Sequence, residues 1–184
     1  MGYFGENWDD NDYPLAYLIT VRTYGTWLHG DEKGAVDTHH GYNVIGAERR
    51  PPSDKMLARM TANMKDAPMI LDDLQRAAVK DAVEEVCRYR DYSLHAANVR
   101  TNHFHVVTSA QEKPEMMANT FKSYATRELR RRGLIGAETK VWARGRSRRY
   151  LWKENHVAAA IDYVLYSQGL LDFEKWYDAT YPSE

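Results

Sequence analysis

Two adjacent strand-like segments joined by a very short turn constrain the fold of this 184-residue chain more than any other feature. Residues 92–100 and 103–110 each predict a strand, and only Thr101 and Asn102 separate them. Residues 15–23 are rich in β-branched and aromatic side chains and predict a further, buried strand. The chain is therefore expected to contain a sheet with a tight hairpin in it.

Helical patterns alternate with these strands. Apolar residues recur at helical spacing over 72–90, 114–132 and 154–168, and residues 141–152 predict one more strand or hairpin. The order is strand, helix, strand, strand, helix, strand, helix. It predicts an α+β fold, a ferredoxin-like sandwich with an antiparallel sheet, helices on one face and a further C-terminal helix.

Length and composition favour one globular domain over residues 1–184, with 1–14 as a loose arm, 24–71 as an insertion and 171–184 as a C-terminal tail. No apolar run reaches the ~18–20 residues of a membrane span, and the first residues do not resemble a signal peptide. We therefore expect a cytoplasmic protein that does not enter a membrane. The single cysteine, Cys87, excludes an internal disulfide and a multi-cysteine zinc site.

Positive charge is concentrated in one segment. Residues 122–153 carry eleven bases and two acids, a net +9, whereas the remaining chain carries a net −10. Such an asymmetry favours a polyanionic partner such as nucleic acid, although a solvated helix face followed by an exposed loop gives the same pattern. Aromatic side chains that alternate with these basic residues could stack on unpaired nucleobases. The candidate contact residues are Lys122, Arg127, Arg130, Arg131, Arg132, Arg144, Arg146, Arg148, Arg149, Trp142 and Tyr150.

Two histidines and a tyrosine-bearing helix are the candidates for chemistry. His103 and His105 are two residues apart on a predicted strand, so they lie on one face and could share a metal ion. The same spacing also fits two histidines that simply lie on a sheet face. The last helix carries Tyr163, Tyr166 and Gln168. A tyrosine hydroxyl, with a pKa of ~10, becomes a useful nucleophile where a metal polarises a phosphodiester, although most helical tyrosines only pack.

Together these segments resemble the HUH-type single-tyrosine transposases, which include the small insertion-sequence transposases and the REP-associated tyrosine transposases. The resemblance spans roughly residues 15–170. Its motifs are the histidine–hydrophobic–histidine triplet after Asn102, the strand LAYLITVRT with TyrGlyThrTrpLeuHisGly after it, the helix PheLysSerTyrAlaThrArgGluLeu, the segments ValTrpAlaArgGly and TyrLeuTrp, and the helix AlaIleAspTyrValLeuTyrSerGln.

The resemblance implies metal-dependent nicking of single-stranded DNA and strand transfer through a 5′-phosphotyrosine, with recognition of a DNA hairpin. Tyr163 would be the nucleophile, and His103 and His105 would hold Mg²⁺ or Mn²⁺. Gln168 would be the third metal ligand, although the family places that ligand one helical turn after the tyrosine, where this chain has Ser167. Some members are dimers and others monomers, so a homodimer stays open.

Two other functional interpretations of the sequence compete with a tyrosine transposase. A DNA- or RNA-binding regulator that kept the fold but lost the chemistry would need the basic segment and not Tyr163. A metal-dependent hydrolase would activate water and form no covalent link to DNA.

Overall fold

The computed structural model describes residues 13–28 and 52–167, together with Trp176 and Thr180. Most of the predicted arm and tail lies outside these residues, as does the part of the predicted insertion at 29–51. Within the described part, no helix is long and apolar enough to cross a membrane. Four strands and four helices follow one another as β1 (Ala16–Arg22), α1 (Asp54–Ala62), α2 (Asp73–Arg90), β2 (Ser93–Val99), β3 (His103–Ser109), α3 (Pro114–Arg131), β4 (Ser147–Leu151) and α4 (Glu154–Tyr166).

The strands form one antiparallel sheet in the order β2-β3-β1-β4. The β2–β3 hairpin lies at one side, and β1 pairs with β3 so that Thr20 is opposite His105 and Arg22 is opposite His103. The α+β sandwich with an antiparallel sheet, predicted from the sequence, is confirmed.

The two long helices α2 and α3 cover one face of the sheet. Tyr17, Ile19 and Phe104 project from the central strands into this main core. Helix α2 begins with a capping box in which the Asp72 side chain accepts a hydrogen bond from the backbone N–H of Gln75, and the Gln75 side chain accepts one from the backbone N–H of Asp72. Because this capping box is local, the start of α2 can be predicted from the sequence.

Helix α4 covers the opposite face of the sheet. Its buried residues Ala160 and Val164 pack on Leu18 and Val107 of the central strands and on Leu151 of β4. Strand residues alternate between the faces, so the residues of β1 and β3 that do not enter the main core face α4. This alternation directs the two histidines toward the C-terminal helix.

Candidate active site

Strand β3 and helix α4 bring the two histidines and one tyrosine together. The rings of His103 and His105 are 4.6 Å apart between centroids, and the ring of Tyr163 is 5.6 Å from that of His105. Tyr163 is only 5% exposed, whereas Tyr166, three residues later, is 79% exposed. Of these two tyrosines of α4, Tyr163 is therefore the one that lies beside the histidines.

Each histidine has an oxygen beside its Nδ1 atom. The Nδ1 atom of His103 lies 2.6 Å from Oδ1 of Asn102, and that of His105 lies 2.7 Å from Oγ1 of Thr20. When both Nδ1–H groups donate to these oxygens, both Nε2 lone pairs can bind a metal ion. An oxygen partner on the second ring nitrogen is the usual environment of a metal-binding histidine, so this donor set fits the implied metal.

His105 is held in the neutral form. Burial lowers the pKa of His105 well below its usual range, and the positive charges of His103, Arg22 and Arg100 lower the pKa further. Neutral imidazole is the form that ligates metals, so the surroundings of His105 favour the ligand state without a cost of deprotonation.

A third metal ligand is not found among the described residues. Within 13–28 and 52–167, no group of three His, Cys, Asp or Glu side chains is placed to hold a metal ion. Gln168, the predicted third ligand, lies just outside the described residues. Ser167 ends α4, and its backbone N–H donates to the carbonyl of Tyr163 at 3.2 Å. The site therefore supplies two imidazoles, and Gln168 stays a prediction.

Two further contacts hold Tyr163 in place. Nδ2 of Asn98 on β2 donates to the carbonyl oxygen of Val164 at 3.0 Å, which ties the last turn of α4 to the sheet. The ring of Trp176 lies 5.5 Å from that of Tyr163 and packs on the same apolar cluster. Tyr163 is thus enclosed by a strand, its own helix and a residue of the C-terminal region.

Sequence reasoning missed Thr20, Asn98 and Trp176. Thr20 lies in a predicted strand, but only the register of β1 against β3 shows that it meets His105. The alternation of β1 gave a signal, because a threonine among apolar residues faces away from the main core.

A family model described as "Transposase IS200 like" matches residues 55–167, which is more than half of the chain. The chain belongs to the IS200-like transposase family. Both histidines and Tyr163 lie within the matched range. The predicted membership of the HUH-type tyrosine transposases is thereby confirmed.

One similar solved structure is titled "Structure of the REP associates tyrosine transposase bound to a REP hairpin". The TM-score is 0.45 and the sequence identity is 11%. The match covers 83% of this transposase and 66% of the other chain, slightly less than two thirds of its length. No curated protein matches the sequence.

The bases at the end of α3 of this IS200-like transposase are engaged in internal ion pairs. Glu128 is buried and accepts hydrogen bonds from Arg131 and Arg132 at 2.6 Å, and Arg132 also pairs with Asp81 of α2 at 2.7 Å. The hydrogen bonds from Arg131 and then Arg132 lower the pKa of Glu128 to about 2. These two arginines therefore stabilise the last turn of α3, and Arg132 also connects α3 to α2.

Two more bases of α3 also have protein partners. Arg127 pairs with Glu85 of α2 at 2.9 Å. Lys122 is half-buried and its Nζ donates to the carbonyl oxygens of Ala143 and Gly145 at 2.9 and 3.1 Å. Lys122 thus fixes the loop that precedes β4.

The bases at and before β4 have more varied surroundings. Arg148 pairs with Glu115 of α3 at 2.5 Å, so it lies on the face of the sheet that α3 covers. Arg149 lies at the register position of Leu18, on the face that α4 covers. Arg144, before β4, and Arg130, at the end of α3, are exposed, and Arg146 is half-buried.

The aromatic candidates pack internally. Nε1 of Trp142 donates to the Lys122 carbonyl and the Thr126 hydroxyl at 3.1 and 3.0 Å, and its ring meets that of Phe104 at 5.2 Å. The ring of Tyr150 contacts that of Tyr17 at 5.5 Å. Both rings are half-buried, so packing accounts for their positions without nucleic acid.

Proposed function

We propose that this chain nicks single-stranded DNA and transfers the cut strand through a 5′-phosphotyrosine at Tyr163. The observation that carries the proposal is the contact between the rings of Tyr163 and His105, with His103 beside them.

The chemistry balances without a high-energy cofactor. The phenolic oxygen of Tyr163 forms a bond to phosphorus as the bond to the 3′ oxygen breaks. The phenol loses one proton and the new 3′-hydroxyl gains one. A later attack by a 3′-hydroxyl on the same phosphorus reverses these bond changes and rejoins the strands.

His103 and His105 would hold Mg²⁺ or Mn²⁺, with Gln168 as the further ligand. The metal would supply positive charge at the scissile phosphate. Imidazole ligands suit Mn²⁺ better than Mg²⁺, so we expect Mn²⁺ to support the reaction at least as well.

Contact with single-stranded or hairpin DNA belongs to the same proposal. The proposed phosphate contacts include Arg130, Arg144, Arg146 and Arg149, of which Arg130 and Arg144 are exposed. Arg127, Arg131 and Arg132 already bind carboxylates of the protein, so they would have to exchange these partners for phosphates.

A gel assay tests the proposal. Labelled single-stranded DNA from the flanks of the protein's own gene is incubated with Mn²⁺ or Mg²⁺ and quenched in denaturant. We expect a covalent adduct with the wild type, none with Tyr163→Phe, and nearly unchanged adduct with the matched control Tyr166→Phe. His103→Ala and His105→Ala should each abolish the adduct.

The other outcomes identify the competing functions. Cleavage without an adduct would favour a hydrolytic nuclease. Binding on either flank with neither cleavage nor adduct, in both metals, would favour a catalytically silent regulator that binds DNA or RNA.

A further inference from the structure

We propose that Arg22 binds a DNA phosphate at the histidine pair and thereby makes metal binding and DNA binding depend on each other. This inference rests on the proposed function, because it assumes that the pair holds a metal next to DNA. Neither the family match nor the sequence motifs assign a role to Arg22.

The strand register places Arg22 beside the histidines. Arg22 is the last residue of β1 and lies directly opposite His103 in the β1–β3 ladder. Thr20, two residues earlier, faces His105 and is hydrogen-bonded to it. Side chains two residues apart on a strand share a face, so Arg22 leaves the sheet on the histidine side.

Trp27 holds the Arg22 side chain in a defined position. Cζ of Arg22 lies 3.5 Å from the centroid of the Trp27 ring, which is a close cation–π contact. The turn that carries Trp27 is itself fixed, since the backbone N–H of Thr23 donates to the carbonyl of Asn102 at 2.9 Å. The segment that carries Arg22 and Trp27 is thus hydrogen-bonded to the residue that precedes His103.

Stacking of this kind prepares a guanidinium for phosphate. The ring contact engages the flat face of the group, whereas its N–H donors lie in the plane of the group, where a phosphate would approach. Because the side chain is already ordered, less conformational entropy is lost when a phosphate binds. A phosphodiester that reaches the histidine pair would therefore meet a positioned cation.

The charge of Arg22 has opposite effects on the metal before and after DNA binds. Without DNA, the positive charge of Arg22, which already acts on His105, disfavours a divalent metal at the histidine pair. With DNA, a phosphate that contacts Arg22 would attract a metal held by the pair. Thermodynamic linkage then requires that DNA tighten metal binding by the same factor as the metal tightens DNA binding.

Mn²⁺ titration followed by electron paramagnetic resonance tests this coupling. All proteins carry Tyr163→Phe to prevent cleavage, and each is titrated with and without the single-stranded flank oligonucleotide that binds best. The variants are Arg22→Gln, Arg22→Lys and the matched control Arg88→Gln, which removes an exposed arginine from α2 on the other side of the sheet.

Arg22→Gln is expected to bind Mn²⁺ as well as the parent, or a few-fold more tightly, in the absence of DNA. DNA should tighten Mn²⁺ binding by about tenfold in the parent and Arg88→Gln, and only by about two- to threefold in Arg22→Gln. Arg22→Lys keeps the charge and should recover most of the coupling. Equal coupling in the parent and Arg22→Gln would overturn the inference, as would an equal loss of Mn²⁺ affinity with and without DNA.

A second arm without metal separates this inference from the proposed function. In EDTA, Arg22→Gln should weaken binding of the same oligonucleotide about three- to tenfold and reduce the slope of log K against log salt by about 0.7, the loss of one phosphate contact. An unchanged slope would overturn the role of Arg22 even if cleavage is metal-dependent. A reduced slope in a protein that binds no Mn²⁺ would retain the phosphate contact and reject both the metal coupling and the metal-dependent chemistry.

Discussion

The ring of Tyr163 packs nearly perpendicular to the ring of His105, with an angle of 74° between the two planes. The two residues come from elements on different layers, since β3 lies in the sheet and α4 covers the face away from α2 and α3. One face of the sheet therefore provides the main core, and the other combines a smaller apolar cluster with the histidine pair. The site depends on the register of β1 and β3 and on the docking of α4.

Replacing Thr20 tests whether its hydroxyl orients His105. Thr20→Val keeps the shape of the side chain but removes the oxygen beside Nδ1 of His105. We expect Mn²⁺ affinity to fall about 10- to 100-fold, the usual effect of losing such an outer partner of a metal-binding histidine.

Thr20→Ser provides the matched control, because it restores the oxygen. Its Mn²⁺ affinity should return to within a few-fold of the wild type. Equal affinity in the Val and Ser variants would show that the Thr20 hydroxyl does not orient the ligand.

Asn98 tests the docking of α4. Asn98→Ala removes the hydrogen bond to the carbonyl of Val164 at 3.0 Å, a bond whose net contribution is about 1 kcal/mol. We expect faster hydrogen exchange of amides in the last turn of α4 and a roughly five- to tenfold slower formation of the DNA adduct. Mn²⁺ affinity should stay unchanged, because the histidines lie on β3. A parallel loss of Mn²⁺ affinity would mean that Asn98 supports the whole site.

All elements except α1, which lies in the segment predicted as an insertion, were predictable from the sequence because their signals are local. The hairpin turn, the alternation of β1 and the capping residue Asp72 each act within a few residues. His103 and His105 could be placed on one face for the same reason. The partners of the histidines were not predictable, since Thr20 and Tyr163 meet His105 only through strand register and helix docking.

The basic segment shows a second limit of sequence reasoning. A run of charge shows where cations are abundant, but it does not show which are already paired. Arg132 binds Asp81 on a helix far earlier in the chain, and Arg131 binds Glu128 one turn away. Trp142 similarly fills a place against Phe104, although its neighbours in sequence are arginines.

Glu128 gives a prediction on stability and pH. Its pKa is lowered to about 2 in the folded protein, so it stabilises the fold fully above its unfolded pKa of ~4.3. This contribution is lost as the pH falls from there toward about 2. Glu128→Gln should lower the free energy of unfolding by about 1 kcal/mol at pH 7, a modest value because its arginine partners are partly exposed.

Urea unfolding at pH 7, 4 and 3 measures this effect. The difference between the wild type and Glu128→Gln should shrink at each step toward acid. Glu138→Gln, an exposed glutamate in the loop after α3, serves as the control and should have little effect at any pH. A difference that stays constant from pH 7 to 3 would contradict the charge-based stabilisation.

Trp176 leads to a prediction about access to the nucleophile. Its ring lies 5.5 Å from that of Tyr163, and Tyr163 is almost fully buried. Attack on a phosphate requires the hydroxyl of Tyr163 to become accessible to DNA. Trp176→Ala should therefore increase nitration of Tyr163 by tetranitromethane several-fold, as measured by peptide mass spectrometry.

Tyr166 is an internal control in the same peptide region, because it is already exposed on α4. Its nitration should not change in Trp176→Ala. If the nitration of both tyrosines rises together, α4 has loosened as a whole and Trp176 supports the helix. If only that of Tyr163 rises, Trp176 covers the nucleophile, and the variant should form the DNA adduct at least as fast as the wild type.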